Sequence, residues 1–203
     1  RQTTLDFHHQ LKGAVLDAVD EGMIERDPTR KAIIKGKTPG AKKIKYLNQF
    51  ELHTLIAHLD IKEKVNWDWF ILLVAKTGMR FSEALAITPA DFDFQACTIR
   101  INKSYQRLGG KDIITDPKTA KSNRMITMPE FLSEELESYL SMLYGLDEND
   151  RIFQISKSYL HHEMDRGVKL SGVKRIRIHD LRHSHVSLLI NMGYSAVAIG
   201  ERV

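Results

Sequence analysis

The stretch NWDWFILLVAKTGM, Asn66 to Met79, is apolar at nearly every position up to Ala75 and has a glycine, Gly78, where a helix would stop. A helix apolar on most sides has to be buried, so this segment predicts a central element around which the rest of the chain packs. At 203 residues and 42% hydrophobic content, the chain is long enough for one well-filled core, or for a core plus a smaller appendage. The apolar run WFILLVA, Trp69 to Ala75, is far shorter than the roughly eighteen residues a membrane-spanning helix needs, so a soluble globular protein is expected. A single cysteine, Cys97, excludes an intramolecular disulfide framework and any multi-cysteine zinc site, which fits a reducing cytoplasm. No signal-peptide pattern is present, and because the chain opens at Arg1 without a methionine, its natural N-terminus is expected to lie upstream.

Around this centre the patterns are mostly helical. Leu5, Leu11, Ala14, Val15, Ala18 and Val19 follow helical spacing that stops before Pro28. KGKTPGAKK then combines two glycines, a proline and four lysines, and reads as a linker with a boundary near residue 45. Asn48 followed by Glu51 predicts a capping box for a helix carrying Leu52, Leu55, Ile56 and Leu59. RFSEALAITP predicts a short helix opened by Ser82 and closed by Pro89. The period then changes: Cys97, Ile99 and Ile101 alternate with Thr98, Arg100 and Asn102, and KDIIT and RMITM read as two more short strands. Helices resume after Pro129 (Leu132, Leu136, Tyr139 or Leu140, Leu143), from Ser158 to Leu170, from His179 to Met192 with Gly193 as the stop, and from Ser195 onward. The last of these reaches Val203 without a cap, as if cut mid-helix. The expected fold is mainly α with a small antiparallel β-sheet, an α+β domain.

The net charge of +4 names no partner, but the charge is clustered. Thr29 to Lys45 holds seven basic residues and no acidic one, and Arg100 to Arg124 holds seven against Asp112 and Asp116. A third group, Arg166, Lys169, Lys174, Arg175, Arg177 and Arg182, is opposed by Asp180. Each group alone reads as solvated surface; three separated groups suit a polyanion contacted at several places.

The third group surrounds HDLRHSH, residues 179 to 185, which a metal site, a phosphate grip or a crowded helix start would each explain. At about 100° per residue His179 and Arg182 share a side, while His185 falls with Leu181, Leu188 and Met192 on a core-facing stripe and is expected to be a buried, hydrogen-bonded histidine. His183 borders the polar side with Ser187. A metal would need a third ligand beside His179 and His183; no acidic pair or cysteine accompanies them, and HHE at His161 to Glu163 lacks the HExxH spacing. An imidazole and a guanidinium at the first turn of a helix would instead face an anion with two donor groups and the positive end of the helix dipole. Two distant features strengthen that reading. Arg80, in TGMRFSEALAI, follows the glycine stop of the buried helix and can project its fork inward, or simply cap the carbonyls near Gly78. Lys118, Lys121 and Arg124, in PKTAKSNRMITMP, are either hairpin-tip charge or the source of a proton donor.

As a set, Arg80, Lys121, His179 and Arg182 resemble the catalytic constellation of tyrosine recombinases, specifically phage and conjugative-transposon integrases. The order and context match over residues 46 to 203, which the resemblance makes a catalytic domain that stops before its C-terminal end. Residues 1–34 resemble the last part of the helical core-binding domain, and 35–45 the basic linker between the two. The resemblance implies site-specific recombination of double-stranded DNA without cofactor or metal. A tyrosine forms a 3′-phosphotyrosyl link while Arg80 and Arg182 hold the phosphoryl oxygens, Lys121 protonates the leaving 5′-oxygen and His179 assists proton transfer. Lys118 is the substitute for Lys121. Lys42, Lys43, Lys45, Lys103, Lys118 and Arg124 are expected to contact DNA, and the full-length protein is expected to assemble as a tetramer on it. Beyond the helix at Ser195 the family has a histidine or tryptophan and then the nucleophilic tyrosine, so residues 1–203 are expected to lack the nucleophile. Tyr194, just after the Gly193 stop, is in the wrong context to replace it. The competing reading is a regulator that binds DNA through a helix-turn-helix at 179 and 195 without chemistry. A metal-dependent nuclease would require a carboxylate cluster that the sequence does not supply.

Overall fold

In a computed structural model of the protein, residues 2–33, 45–60, 66–116 and 122–203 are described. The chain divides into two compact units, Arg1–Lys43 and Ile44–Val203. The first contains helix α1 (Gln2–Asp20). Its apolar spacing makes a helix on which Leu5, Val15, Ala18 and Val19 are half-buried, while Phe7, Leu11 and Leu16 are exposed.

The second unit begins with α2 (Gln49–Ala57). The Glu51 N–H donates to Asn48 Oδ1 at 2.9 Å and the Asn48 N–H to Glu51 Oε2 at 2.8 Å, so two otherwise orphaned donors are satisfied reciprocally. Helix α3 (Trp67–Thr77) is buried at every position except Lys76. Trp69 stacks on Tyr139 at 4.8 Å, and Phe70 meets Phe81 and Phe153 edge-on. Even its one acidic residue, Asp68, is fully enclosed, held by the Asp60 N–H and by Arg166 at 3.2 Å. Gly78 ends the helix at φ +70°, where its N–H returns to the Val74 carbonyl.

The chain then turns into α4 (Phe81–Ala84), a single 3-10 turn at Pro89–Asp91, and the strands. β1 (Phe92–Asp93), β2 (Thr98–Ile101) and β5 (Arg124–Thr127) form one antiparallel sheet in that order. The register sets Ile99 opposite Ile126, both facing the core, and Arg100 opposite Met125. β3 (Ser104–Leu108) and β4 (Lys111–Thr115) form a separate hairpin. There are thus two small sheets where one was expected, and β3 is a strand the apolar pattern did not announce. What closes the hairpin is Gly109–Gly110, both at positive φ, as a two-residue turn matched to strand twist requires.

Four helices complete the unit: α5 (Glu130–Ser141), α6 (Lys157–Ser171), α7 (Asp180–Asn191) and α8 (Ala196–Arg202). Ser156 and Ser195 cap α6 and α8 with their hydroxyls. Leu52 and Leu55 from α2, Leu132 and Leu136 from α5, Leu160 and Met164 from α6, and Leu181 from α7 close the core that includes α3. The fold class is therefore mainly α with small antiparallel sheets.

His185 is the buried histidine the periodicity predicted: 3% exposed, with Nδ1 donating to the Ala75 carbonyl at 3.0 Å and Nε2 accepting from Arg202 Nε at 3.2 Å. Of its expected stripe, Leu181 is buried and Leu188 lies half-buried against the core, but Met192 is exposed. The helix ends at Asn191, so the periodicity no longer applies there. Burial and the Arg202 charge push the His185 pKa down to about 4. Because the unfolded chain titrates near 6.5, it takes up this proton first, and stability present above pH 6.5 is lost as pH falls towards 4. The expected loss is about 3 kcal/mol. Chemical denaturation of the wild type and His185→Gln from pH 7.5 to 4.5 should show a steeper decline for the wild type. Gly78→Ala should be the costlier of two left-handed glycine replacements by at least about 1 kcal/mol. Its Cβ would fall 2.5 Å from His185 Cδ2, whereas Gly172→Ala, at φ +69°, meets open space. Equal losses in urea unfolding would contradict the close contact.

Candidate active site

The α3–α4 corner, the first turn of α7 and the start of β5 meet around one carboxylate. Arg80 sits at the N-cap position of α4 with extended backbone. Its N–H donates to Glu83 Oε2 at 2.8 Å and its Nη1 to Glu83 Oε1 at 2.8 Å. The sequence pointed to Ser82 as the opening residue; the helix is instead opened by Arg80, whose N–H is satisfied by a carboxylate three residues on. Glu83 also receives Arg124 Nη1 at 3.1 Å and Nη2 at 2.9 Å, a two-pronged contact. Burial would raise the Glu83 pKa, but the donors from Arg124 and Arg80 outweigh it and hold the group below the ordinary carboxylate value. It is an anion at neutral pH.

Arg182, on α7, donates Nη1 to the Gly78 carbonyl at 2.8 Å. The glycine that stops α3 thus also anchors the second arginine. Burial, with Arg80 and Arg124 nearby, brings the Arg182 pKa down to about 10, partly offset by Glu83. Arg80 and Arg124 share one carboxylate with Arg182 close by, and this excess of positive charge is what a bound anion would neutralise. The Arg80 side chain is 43% exposed, against 6% for Arg124.

His179 occupies the N-cap position of α7, its ring edge-on to His183 at 5.3 Å. Burial, His183 and Arg182 lower its pKa, so it is predominantly neutral at pH 7 and able to accept a proton. Asp180 is structural: fully buried, it takes the Arg177 N–H at 2.9 Å and two guanidinium donors from the same residue. Ser184 receives the Leu47 N–H at 2.8 Å, which ties α7 to the segment entering α2.

The structure thus brings Arg80 and Arg182 together and sets His179 one turn from Arg182. Lys118, Lys121, Lys42 and Lys43 lie outside the described residues, although Ser122, where the described chain resumes, gives its carbonyl to Arg124 Nη1 at 3.3 Å. Lys45 is exposed. Lys103 and Arg124, expected to contact DNA, each have internal partners. Lys103 Nζ reaches Thr88 Oγ1 at 3.0 Å and the buried Asp91 at 2.7 Å. Arg124, 6% exposed, holds Glu83 and donates Nε to the Arg202 carbonyl at 3.0 Å. Sequence reasoning passed over Glu83, although its spacing from Arg80 is that of a capping box, and Arg202, which no motif marks. Among the described residues no group of three or more His, Cys, Asp or Glu side chains is set to hold a metal ion, and no helix is long and apolar enough to cross a membrane. Fixed guanidiniums beside a neutral imidazole can bind a phosphoryl group, stabilise charge developing on its oxygens and accept a proton next to it.

The chain is similar to several known proteins. The chain is 29% identical over 201 residues to the ICEBs1 integrase of Bacillus subtilis (strain 168), covering 92% of this chain and 53% of the relative. It is 25% identical to the integrase of Mycobacterium phage L5, covering 86% and 48%. The chain spans about half the length of these curated relatives. Among solved structures, the Tn1549 transposon integrase in complex with a circular intermediate DNA superposes with a TM-score of 0.78 at 20% identity, over 98% of this chain and 71% of that one. XerA recombinase superposes at 0.62 and 22% identity, over 86% and 59%. Because the model of the Phage integrase family matches residues 45–203, the chain belongs to that family of tyrosine recombinases.

Proposed function

We propose that the chain is part of a site-specific DNA recombinase that breaks and rejoins double-stranded DNA through a 3′-phosphotyrosyl intermediate. One observation carries the reading: Arg80 and Arg182, distant in sequence, converge where positive charge exceeds negative. In the proposed reaction a tyrosine oxygen attacks the phosphorus and the bond to the 5′-oxygen breaks, so one phosphoester replaces another and no external energy source is needed. Arg80 and Arg182 neutralise the two non-bridging oxygens as charge builds on them. His179, neutral at pH 7, receives the tyrosine proton. Lys121 delivers a proton to the departing 5′-oxygen, with Lys118 as the substitute. Glu83 acts as a positioning residue that keeps the Arg80 fork aimed.

None of the six tyrosines hydrogen-bonds to Arg80, His179 or Arg182. Tyr139 is buried against Trp69, Tyr105 donates to Asp112, and Tyr194 lies exposed past the end of α7. In this reading the attacking tyrosine is supplied by chain outside residues 1–203, as the family resemblance implies, while these residues supply the grip. The domain plan follows the family: 1–34 from the core-binding domain, 35–45 a basic linker and 46–203 the catalytic domain, with assembly as a tetramer on DNA. Relatives described as integrases, and a structural neighbour bound to DNA, support this reading.

Two outcomes are expected. In full-length protein, Arg182→Ala should lower cleavage of a nicked DNA substrate at least about a thousandfold while DNA affinity stays within roughly fivefold, because most affinity comes from other phosphate contacts. Normal cleavage per bound complex, with affinity collapsed, would remove Arg182 from the chemistry and favour the purely DNA-binding reading. Residues 1–203 alone should bind duplex DNA but yield no denaturation-resistant protein–DNA adduct. An adduct on gels with a nicked substrate would place the nucleophile within them.

A further inference from the structure

Arg202, the last residue of α8, has an arrangement the grip does not explain. Its guanidinium is largely enclosed yet, among the described residues, meets no carboxylate. Nη1 donates to the Thr127 carbonyl at 2.9 Å, Nη2 to the Lys76 carbonyl at 3.4 Å and Nε to His185 Nε2 at 3.2 Å. One side chain therefore ties α8 to β5, to the end of α3 and to α7. Burial lowers its pKa, so the enclosure costs stability that three neutral acceptors only partly offset. An apolar residue would fill the same place without that cost, which points to a requirement of geometry rather than packing.

The geometry leads to the arginines of the site. The Arg202 carbonyl accepts Arg124 Nε at 3.0 Å, and the other end of Arg124 grips both oxygens of Glu83. Glu83 in turn holds the Arg80 N–H and Nη1. In the other direction His185 sits on the α7 turn that follows Arg182, and a Cβ at Gly78 would meet His185 Cδ2 at 2.5 Å and Val203 Cγ1 at 3.1 Å. Gly78 is the residue whose carbonyl orients Arg182. The end of α8 thus abuts the supports of both phosphate-holding arginines.

We propose that Arg202 is a positioning residue: by fastening α8 it fixes Arg124, and through Glu83 the fork of Arg80, so that the phosphate grip is complete only when α8 is docked. This rests on the reading of Arg80 and Arg182 as that grip. It makes the state of one short helix a condition for the site's competence.

The test uses residues 1–203, the arginine Nε–H resonances, and titration with inorganic phosphate. Arg202→Lys keeps the charge but cannot reach three acceptors at once, and Arg124→Lys cuts the link one step further in. Each should shift the Arg80 Nε–H resonance before phosphate is added and weaken phosphate binding at least fivefold. The double variant should bind no more weakly than the weaker single, because both lie on one path. A folded Arg202→Lys protein whose Arg80 resonance and phosphate affinity stay within twofold of wild type overturns the proposal, as do losses that multiply in the double variant. If Arg202→Lys fails to fold, Arg124→Lys decides alone, and affinity within twofold of wild type overturns the coupling. If wild type shows no phosphate binding, the grip is what fails, while the Arg80 resonance still reports whether Arg202 positions it.

Discussion

Four donors from two arginines converge on the carboxylate of Glu83, and much of the site follows from that convergence. A buried carboxylate left without partners would be costly, so its presence requires cations around it. Once Arg124 supplies two of the donors, the remaining lone pairs fix both the backbone start of α4 and the direction of Arg80. The same carboxylate offsets part of the repulsion among Arg80, Arg124 and Arg182, which lets three guanidiniums stay close without being fully neutralised. A residue that binds no substrate in the proposed reaction thus keeps the field of the site positive but tolerable.

Burial and charge are linked through α3. Its enclosure on nearly all sides fixes the place of its C-terminus, and Gly78 turns that fixed end into an acceptor for Arg182. Asp180, Ser184 and His185 fasten α7 from its own side, so the first turn carrying His179 and Arg182 is held by side chains that take no part in the chemistry.

What could be read from the sequence was local. The Asn48–Glu51 box, the Gly78 stop and the inward face of His185 depend on residues within a turn or two, and each was legible. Strand β3 was not, because Ser-Tyr-Gln-Arg-Leu lies mostly on the surface and leaves no alternation; its only signal was the Gly-Gly turn after it. The opening of α4 was assigned to Ser82 by side-chain preference, whereas Glu83, held by a distant arginine, supplied the cap. The internal partners of charged residues were equally out of reach: Glu83 and Asp91, which hold Arg124 and Lys103, lie 41 and 12 residues away. Arg80, Arg182 and His179 were legible as a set through family resemblance, while the residues that orient them had no motif to mark them.

The triple duty of Gly78 has a consequence for how such a chain can vary. A residue inserted between Leu73 and Glu83 would turn everything after it by about 100° if the helix absorbed it. Arg80 and Glu83 would swing away from Arg124 together, Arg182 would lose its acceptor, and the contact with His185 would open, all from one codon. The corner therefore acts as a ruler of fixed length. The Gly109–Gly110 tip of the β3–β4 hairpin has open space around it and can take insertions at little cost. The chain has room to lengthen at the hairpin and none at the corner.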